Sequence, residues 1–250
     1  MTDFLFHGDT ERSAAMRHEL PVSIGDAFLL AVVGDRVHVM VNSLERARVA
    51  TAVPDAVLHD IADLGFVELL ESGMSFHEID VELASRAAAA IGIREAVADP
   101  EMPVVIADRL RADGILIHPD HQAVAARRRV KSAAELAGIR RAQVAAEAGM
   151  SAAAELLGRA TPDGDRLVVG GEVLTAESVR AALREACRVS GSPAPPDVIV
   201  ASIWQGSGHD PGSGPLPANL PIVIDLWPRD EASGCSADMT RTFVVGEISD

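Results

Sequence analysis

Asp225 and Asp238 are the residues whose type and spacing in this sequence most directly suggest chemistry. Asp225 follows the apolar run Ile222–Ile224, at a place where a buried strand normally carries Val or Leu. A buried carboxylate without partners is costly, so it needs a cation or a set of donors. Asp238 opens a run of period two that puts Thr240 and Thr242 on its own side. Oxygen ligands of this kind favour Mn, Mg, Ca or Zn over a thiolate-bound metal.

The turn between the two aspartates decides whether they can act together. If the strands pair antiparallel through the turn Pro228–Gly234, both carboxylates reach the same face of the sheet. A lone Asp at the end of an apolar strand is more often structural, and Asp230 is interpreted as a solvated turn residue. Two aspartates on partnered strands favour a metal site.

A glycine-rich loop precedes the first aspartate. The segment Gln205–Gly214 contains four glycines around His209. Glycine at this density lets the backbone approach a ligand closely and adopt positive φ. The alternatives are a flexible connector and a solvated histidine, but the position of His209 before Asp225 favours a functional role.

The segments IVIDLW and SADMTRTFVVG resemble the pita-bread metallopeptidases, a family that includes Xaa-Pro aminopeptidase, prolidase, methionine aminopeptidase and the metal-free creatinase. The resemblance implies that Asp225 binds one metal ion and that Asp238 bridges two. It implies that His209 contacts the substrate or the tetrahedral intermediate. The implied activity is hydrolysis of Xaa-Pro bonds in proline-containing peptides by a bridging water. Two divalent ions are implied, with Mn expected and Co or Zn as alternatives, in a homodimer.

The same resemblance requires a further His and two Glu ligands. No residue after Val244 supplies them, and His118 and His121 in the sequence HPDH fit a turn and a helix start better than a metal pair. We therefore expect that this chain is a fragment of a longer protein. The alternatives are a site completed by a second chain and a non-catalytic remnant.

The fold class expected is an α/β N-terminal domain over residues 1–130, followed by an α+β pita-bread domain over residues 131–250 that is incomplete in this chain. In the first block, Gly34 marks a hairpin, residues 74–91 form a helix, and residues 103–107 and 114–118 form buried strands. An N-terminal domain favours the Xaa-Pro, prolidase and creatinase branch over methionine aminopeptidase. The presence of both aspartates disfavours creatinase.

In the second block, two helices precede the strands of the site. Ser132 and Glu135 form a capping box for a helix through Leu157, and a second helix spans Thr175 to Val189. The first helix is expected to bury one face, whose apolar residues are Leu136, Ile139, Val144 and Met150.

Composition restricts the class of protein. Hydrophobic residues make up 48% of the chain, and no stretch reaches the roughly 18 apolar residues of a membrane span. The net charge of −15 disfavours nucleic acid as a partner. Two cysteines and no signal peptide indicate a reducing, cytoplasmic location without a membrane partner.

Three functions remain open besides the Xaa-Pro aminopeptidase. The first is a prolidase that cleaves Xaa-Pro dipeptides. The second is a catalytically silent pita-bread module that binds partners. The third is a protein in which Asp225 and Asp238 bind a single structural Ca or Mg ion.

Overall fold

A computed structural model describes residues 2–202, Gln205 and residues 209–247. Contacts divide the chain into two compact units, Met1–Lys131 and Ser132–Asp250. Within the described ranges, no helix combines the length and the apolar character needed to cross a bilayer.

The first unit is built on a mixed six-stranded sheet. Its strands are β1 (Phe4–Gly8), β2 (Phe28–Val33), β3 (Arg36–Val41), β4 (Val57–Asp60), β5 (Glu95–Ala98) and β6 (Leu116–Pro119). Their order across the sheet is β4-β3-β2-β1-β5-β6. Strands β1, β2 and β3 pair antiparallel, whereas β3 with β4, β1 with β5, and β5 with β6 pair parallel. The hairpin predicted at Gly34 is the β2–β3 connection, where Gly34 has φ +60°.

Six helices accompany this sheet within residues 2–131. They are α1 (Ala14–Glu19), α2 (Arg46–Ala52), α3 (Phe66–Glu71), α4 (Phe76–Ile91), α5 (Val104–Ala112) and α6 (His121–Arg129). Helix α4 matches the predicted helix except for its first two residues, because Ser75 caps it with Glu78 in a capping box. The predicted turn at HPDH is wrong, because His118 and Pro119 belong to β6, whereas the predicted helix start is present, with Asp120 as the N-cap and His121 as the first residue of α6.

The prediction of a buried strand at residues 103–107 is wrong. Pro103 is the N-cap of α5, and the apolar run continues as its first turn. Val104 is 71% exposed while Ile106 is 1% exposed, so burial follows one side of a helix. A short apolar run does not distinguish a strand from a helix, and proline is tolerated at a helix start.

The second unit places two helices against an antiparallel sheet. Its helices are α7 (Ala133–Gly158) and α8 (Ala176–Val189), and its main sheet contains β10 (Ile199–Ser202), β11 (Ile222–Leu226) and β12 (Met239–Phe243). A smaller sheet contains β7 (Thr161–Asp163), β8 (Arg166–Val169) and β9 (Glu172–Val173). The capping box predicted at Ser132 is present, and Thr175 begins α8 in the same way.

The predicted composition of the buried face of α7 is wrong. Leu136 is 42% exposed and Val144 is 58% exposed. The buried face consists mainly of small residues, namely Gly138, Ala142, Ala145, Ala146, Gly149 and Ala153, together with Met150 and Leu157. A Cβ at Gly149 would lie 2.6 Å from Cys187 Sγ, so α7 and α8 approach too closely for larger side chains.

Cys187 shows how tight this helix contact is. Its thiol is fully buried and donates to the carbonyl of Ala145 at 3.3 Å. Burial raises the pKa of Cys187, which keeps the thiol protonated. Cys187 and Cys235 are both free thiols.

Candidate metal centre and glycine-rich loop

The two candidate metal ligands lie on a single β-hairpin. Strands β11 and β12 pair antiparallel with Asp225 opposite Thr240 and Leu226 opposite Met239. The same register continues past the strands, because Ala237 donates its N–H to the carbonyl of Pro228 at 3.1 Å. The hairpin therefore extends to a tip at residues 231–234, and the antiparallel pairing expected across this turn is present.

The register determines the face on which each aspartate lies. Asp238 precedes Thr240 by two residues, and alternate residues of a strand share a face. Asp225 faces Thr240 directly, so Asp225 and Asp238 are diagonal neighbours on the same side of the hairpin. Diagonal neighbours of an antiparallel pair are separated by about 7–8 Å between Cα atoms. At that separation, the two carboxylate side chains can both reach one cation that lies between them.

This side of the sheet is the one turned away from the helical core. In β11, Ile222, Ile224 and Leu226 are fully buried and belong to the core cluster of the unit. Asp225 alternates with them and is half-buried, and Asp238 is exposed. The sequence therefore predicted the correct alternation, but Asp225 is less buried than a core residue and its desolvation cost is correspondingly lower.

The two carboxylates have few competing partners. Thr240 Oγ1 donates to Asp225 Oδ1 at 2.6 Å. In the described part of the chain, neither Asp225 nor Asp238 forms an ion pair with a basic residue. Two unpaired carboxylates on one surface repel each other and attract cations. The donor set thus fits part of a hard-metal site.

The described residues do not complete such a site. Among residues 2–202, 205 and 209–247, no group of three or more His, Cys, Asp or Glu side chains could hold a metal ion. The described residues thus bring two candidate donors, Asp225 and Asp238, to one face of the hairpin and add no third.

Asp230 is not the solvated turn residue that the sequence suggested. It is 3% exposed and forms a two-pronged ion pair with Arg141 of α7, with both N–O distances 2.8 Å. Ser233 adds its backbone N–H at 2.9 Å and its hydroxyl at 2.5 Å. The Arg141 guanidinium, followed by the bonds from Ser233, holds the pKa of Asp230 well below its usual range. Asp230 thus anchors the hairpin tip to α7.

Gly138 of α7 permits this anchoring. A Cβ at Gly138 would lie 1.8 Å from Ser233 Oγ and 3.1 Å from Asp230 Oδ2. The hairpin tip can approach α7 this closely only because Gly138 has no side chain. Sequence reasoning missed Arg141 and Gly138, although the spacing Asp230 to Ser233 is typical of a turn with a side-chain hydrogen bond.

His209 lies in an exposed part of the glycine-rich loop. Gly206 and Gly208 of that loop lie outside the described residues. Where the structure describes the loop, His209 forms no hydrogen bond or ion pair with Asp225 or Asp238. The structure therefore brings the two aspartates together, and the role of His209 stays a prediction.

The loop after His209 is held by one side of α8. Arg180 donates from Nε to the carbonyl of Val198 at 2.9 Å and from its terminal nitrogen to the carbonyls of Gly212, at 2.7 Å, and Pro211. Glu177 accepts the N–H of Gly214 at 3.1 Å, and hydrogen bonds from its own N–H and from that of Gly214 lower the pKa of Glu177. Two charged side chains of one helix thus hold the backbone of residues 211–214.

Close backbone packing adds to these bonds. Gly212 has φ +77°, and a Cβ there would lie 2.0 Å from the carbonyl oxygen of Val200 in β10. Pro211 accepts the N–H of Val200 at 3.0 Å. The loop therefore runs along β10, the edge strand next to the one that carries Asp225.

Comparison with solved structures identifies the fold. The chain is similar to prolidase from Pyrococcus furiosus, with a TM-score of 0.68 and 16% identity, covering 100% of this chain and 64% of that one. It is similar to X-Pro aminopeptidase from Thermotoga maritima, with a TM-score of 0.70 and 17% identity, covering 100% of this chain and 64% of that one. It is also similar to a dipeptidase from Mycobacterium ulcerans, with a TM-score of 0.66 and 19% identity, covering 100% of this chain and 61% of that one.

The chain spans less than two thirds of the length of each of these proteins. No protein-family model matches the sequence, and no curated protein matches it. At 16–19% identity, the similarity to these proteins shows a shared fold. The chain has the fold of the pita-bread family, which the prolidases and X-Pro aminopeptidases represent.

Proposed function

We propose that this chain is part of a metal-dependent aminopeptidase that hydrolyses Xaa-Pro peptide bonds. The observation that carries the proposal is the hairpin that places Asp225 and Asp238 on one face without a basic partner. The fold supports it, because solved structures with this fold include an X-Pro aminopeptidase and a prolidase. In the proposal, residues 1–130 form the N-terminal domain and residues 131–250 belong to the catalytic domain.

The metal centre proposed contains two divalent ions. Asp225 and Asp238 would hold these ions, with Mn as the expected metal and Co or Zn as alternatives. When bound, such ions activate a water molecule and polarise the scissile carbonyl. The proposal requires further His and Glu donors from polypeptide that this sequence does not contain.

The residues of this chain have separate tasks in the proposal. Thr240 holds one oxygen of Asp225, which orients the carboxylate before an ion binds. His209 donates a hydrogen bond to the substrate carbonyl or to the oxyanion that forms from it. Arg180 and Glu177 hold the loop of His209 against α8. The substrates are proline-containing peptides, and the proposed enzyme is a cytoplasmic homodimer.

A prolidase is the second candidate, because a protein of that activity shares this fold. It differs from the first candidate in substrate length alone. A prolidase cleaves Xaa-Pro dipeptides, whereas the aminopeptidase removes the first residue from longer peptides with proline in second position.

The test uses the protein as its native source produces it, loaded with Mn²⁺. We expect hydrolysis of a Xaa-Pro-Xaa tripeptide and its loss in Asp225→Asn and Asp238→Asn. The control is Glu231→Gln, which removes one negative charge from the exposed tip of the same hairpin. Hydrolysis of the dipeptide alone would support the prolidase.

Two outcomes would contradict both enzymes. If the protein binds no metal and hydrolyses neither substrate, the result would support a catalytically silent module that binds partners. One Ca²⁺ or Mg²⁺ per chain without hydrolysis would indicate a structural ion at Asp225 and Asp238. The metal content of the protein, measured by inductively coupled plasma mass spectrometry, distinguishes these two outcomes.

A further inference from the structure

Two histidines lie side by side in the sheet of the first unit. His38 is in β3 and His59 is in the neighbouring parallel strand β4. His38 pairs with Val57, and His59 follows Val57 by two residues, so both histidines are on the same face of the sheet. Strand β4 is the edge of this sheet. Both side chains are half-buried, which leaves access from solvent.

The two rings present nitrogen atoms to each other. His38 Nδ1 lies 3.1 Å from His59 Nε2, the ring centroids are 5.4 Å apart, and the ring planes differ by 21°. Two imidazole nitrogens on one tetrahedral ion, each at about 2.0–2.1 Å from it, are separated by about 3.3 Å. The backbone pairing of β3 and β4 therefore holds two nitrogen ligands at nearly the separation that one ion requires.

We propose that His38 and His59 together bind one late first-row divalent ion, with Zn²⁺ as the representative. The site is separate from the hairpin that carries Asp225 and Asp238, and it does not depend on the proposed peptidase function. Imidazole nitrogen suits Zn, Cu and Ni, whereas the carboxylates of the hairpin suit harder ions.

The charge state of the pair agrees with this role. Burial lowers the pKa of both rings, and the charges of His59 and Arg36 lower that of His38 further, against an opposing effect of Asp3. A lowered pKa favours the neutral imidazole, which is the form that binds metals. In the free protein one N–H lies between the two nitrogens. Binding requires that both rings carry their proton on the outer nitrogen.

Protein ligands do not fill the remaining coordination positions. No group of three or more potential ligands exists in the part of the chain that the structure describes, so water completes the coordination. The carboxylate of Asp3 is close enough to influence His38, and Arg36 is an unfavourable charge nearby. A site with two protein ligands and this mixed electrostatic environment binds Zn²⁺ more weakly than a structural site with four ligands.

The test titrates Zn²⁺ into the protein in competition with a chromophoric chelator. The background carries Asp225→Asn and Asp238→Asn, so that the hairpin site does not contribute. We expect one Zn²⁺ per chain, and a loss of affinity of at least about tenfold in His38→Gln and in His59→Gln. The control is His118→Gln in the same unit, because His118 is exposed and pairs with Glu95 Oε1 at 2.9 Å.

A second measurement needs no substitution at the pair. Long-range ¹H–¹⁵N correlation spectra report the ring nitrogens, and Zn²⁺ should shift His38 Nδ1 and His59 Nε2 but leave His118 unchanged. The proposal is overturned if those two nitrogens do not shift. It is also overturned if the Zn²⁺ affinity is the same in His38→Gln, His59→Gln and His118→Gln.

Discussion

Thr240 and Asp225 face each other across the hairpin, and the threonine hydroxyl donates to Asp225 Oδ1 at 2.6 Å. The bond joins directly paired residues of β11 and β12, so the backbone register determines it. It occupies one carboxylate oxygen and leaves the other for a ligand. The hairpin itself therefore orients the carboxylate of Asp225.

Thr240→Val tests that relationship, because valine keeps the β-branched shape and removes the hydroxyl. In the protein from its native source, we expect Mn²⁺ affinity to fall about 10–100-fold, since outer-shell hydrogen bonds contribute that much at metal sites. The control is Thr242→Val, an exposed residue on the same face of the same strand. Mn²⁺ binding is measured by electron paramagnetic resonance. An equal loss in the control would show that the hydroxyl of Thr240 has no special role.

Asp230→Asn tests the anchor of the hairpin tip. The substitution removes the charge that pairs with Arg141 and leaves an amide in a buried position. We expect the free energy of unfolding to fall by about 1–3 kcal/mol, as for the loss of a buried, charged hydrogen-bond acceptor. Urea unfolding measures the change. Glu185→Gln breaks an ion pair whose two side chains are exposed, and it should have no measurable effect.

The stability contributed by Asp230 depends on pH. Its pKa is lower in the folded than in the unfolded protein, so its charged form stabilises the fold. The difference between wild type and Asp230→Asn should be constant at neutral pH. It should shrink as the pH falls below about 4, the ordinary pKa of aspartate, toward the lower folded-state value. A difference that stays constant down to pH 2 would exclude this linkage.

Gly138→Ala and Gly158→Ala form a matched pair on α7. A Cβ at Gly138 would lie 1.8 Å from Ser233 Oγ, whereas a Cβ at Gly158 would meet no atom within 4 Å. We expect Gly138→Ala to destabilise the protein by about 1–3 kcal/mol through overpacking. Gly158→Ala should be neutral or stabilising by up to about 1 kcal/mol, from helix propensity. Similar stability of the two variants, measured in urea, would contradict the close contact at Gly138.

Arg180→Met tests the hold of α8 on the glycine-rich loop. The guanidinium bonds to the carbonyls of Val198, Pro211 and Gly212, and methionine fills similar space without donating. We expect amide hydrogen exchange in residues 212–214 to become at least about tenfold faster, because charged hydrogen bonds contribute about 1.5–3 kcal/mol. Arg188→Met on the same helix is the control, because Arg188 bonds to Glu185. Unchanged exchange in Arg180→Met would show that backbone packing alone holds the loop.

Local signals in the sequence predicted much of the second unit. The capping residues Ser132 and Thr175 begin the two helices, and alternation along residues 238–243 placed Thr240 on the face of Asp238. These features depend on residues that lie close to each other in the sequence. The same kind of signal failed at residues 103–107, where the apolar run is too short to show its period.

Other features depended on contacts between distant parts of the chain. The ion pair of Arg141 with Asp230 joins residues 89 positions apart, and no near neighbour in the sequence indicates that Asp230 is buried. The buried face of α7 consists of alanines and glycines because α8 and the hairpin tip lie so close, at Gly149 and Gly138.

The hairpin, its two aspartates and the helices that precede them were predictable from local patterns alone, because caps and alternation act between near neighbours in the chain. Contacts between distant segments make Asp230 an anchor, bring Arg180 to the glycine-rich loop, and set His38 against His59. Each of these depends on which surfaces pack together. Packing is a property of the whole unit, and no local pattern of residues encodes it.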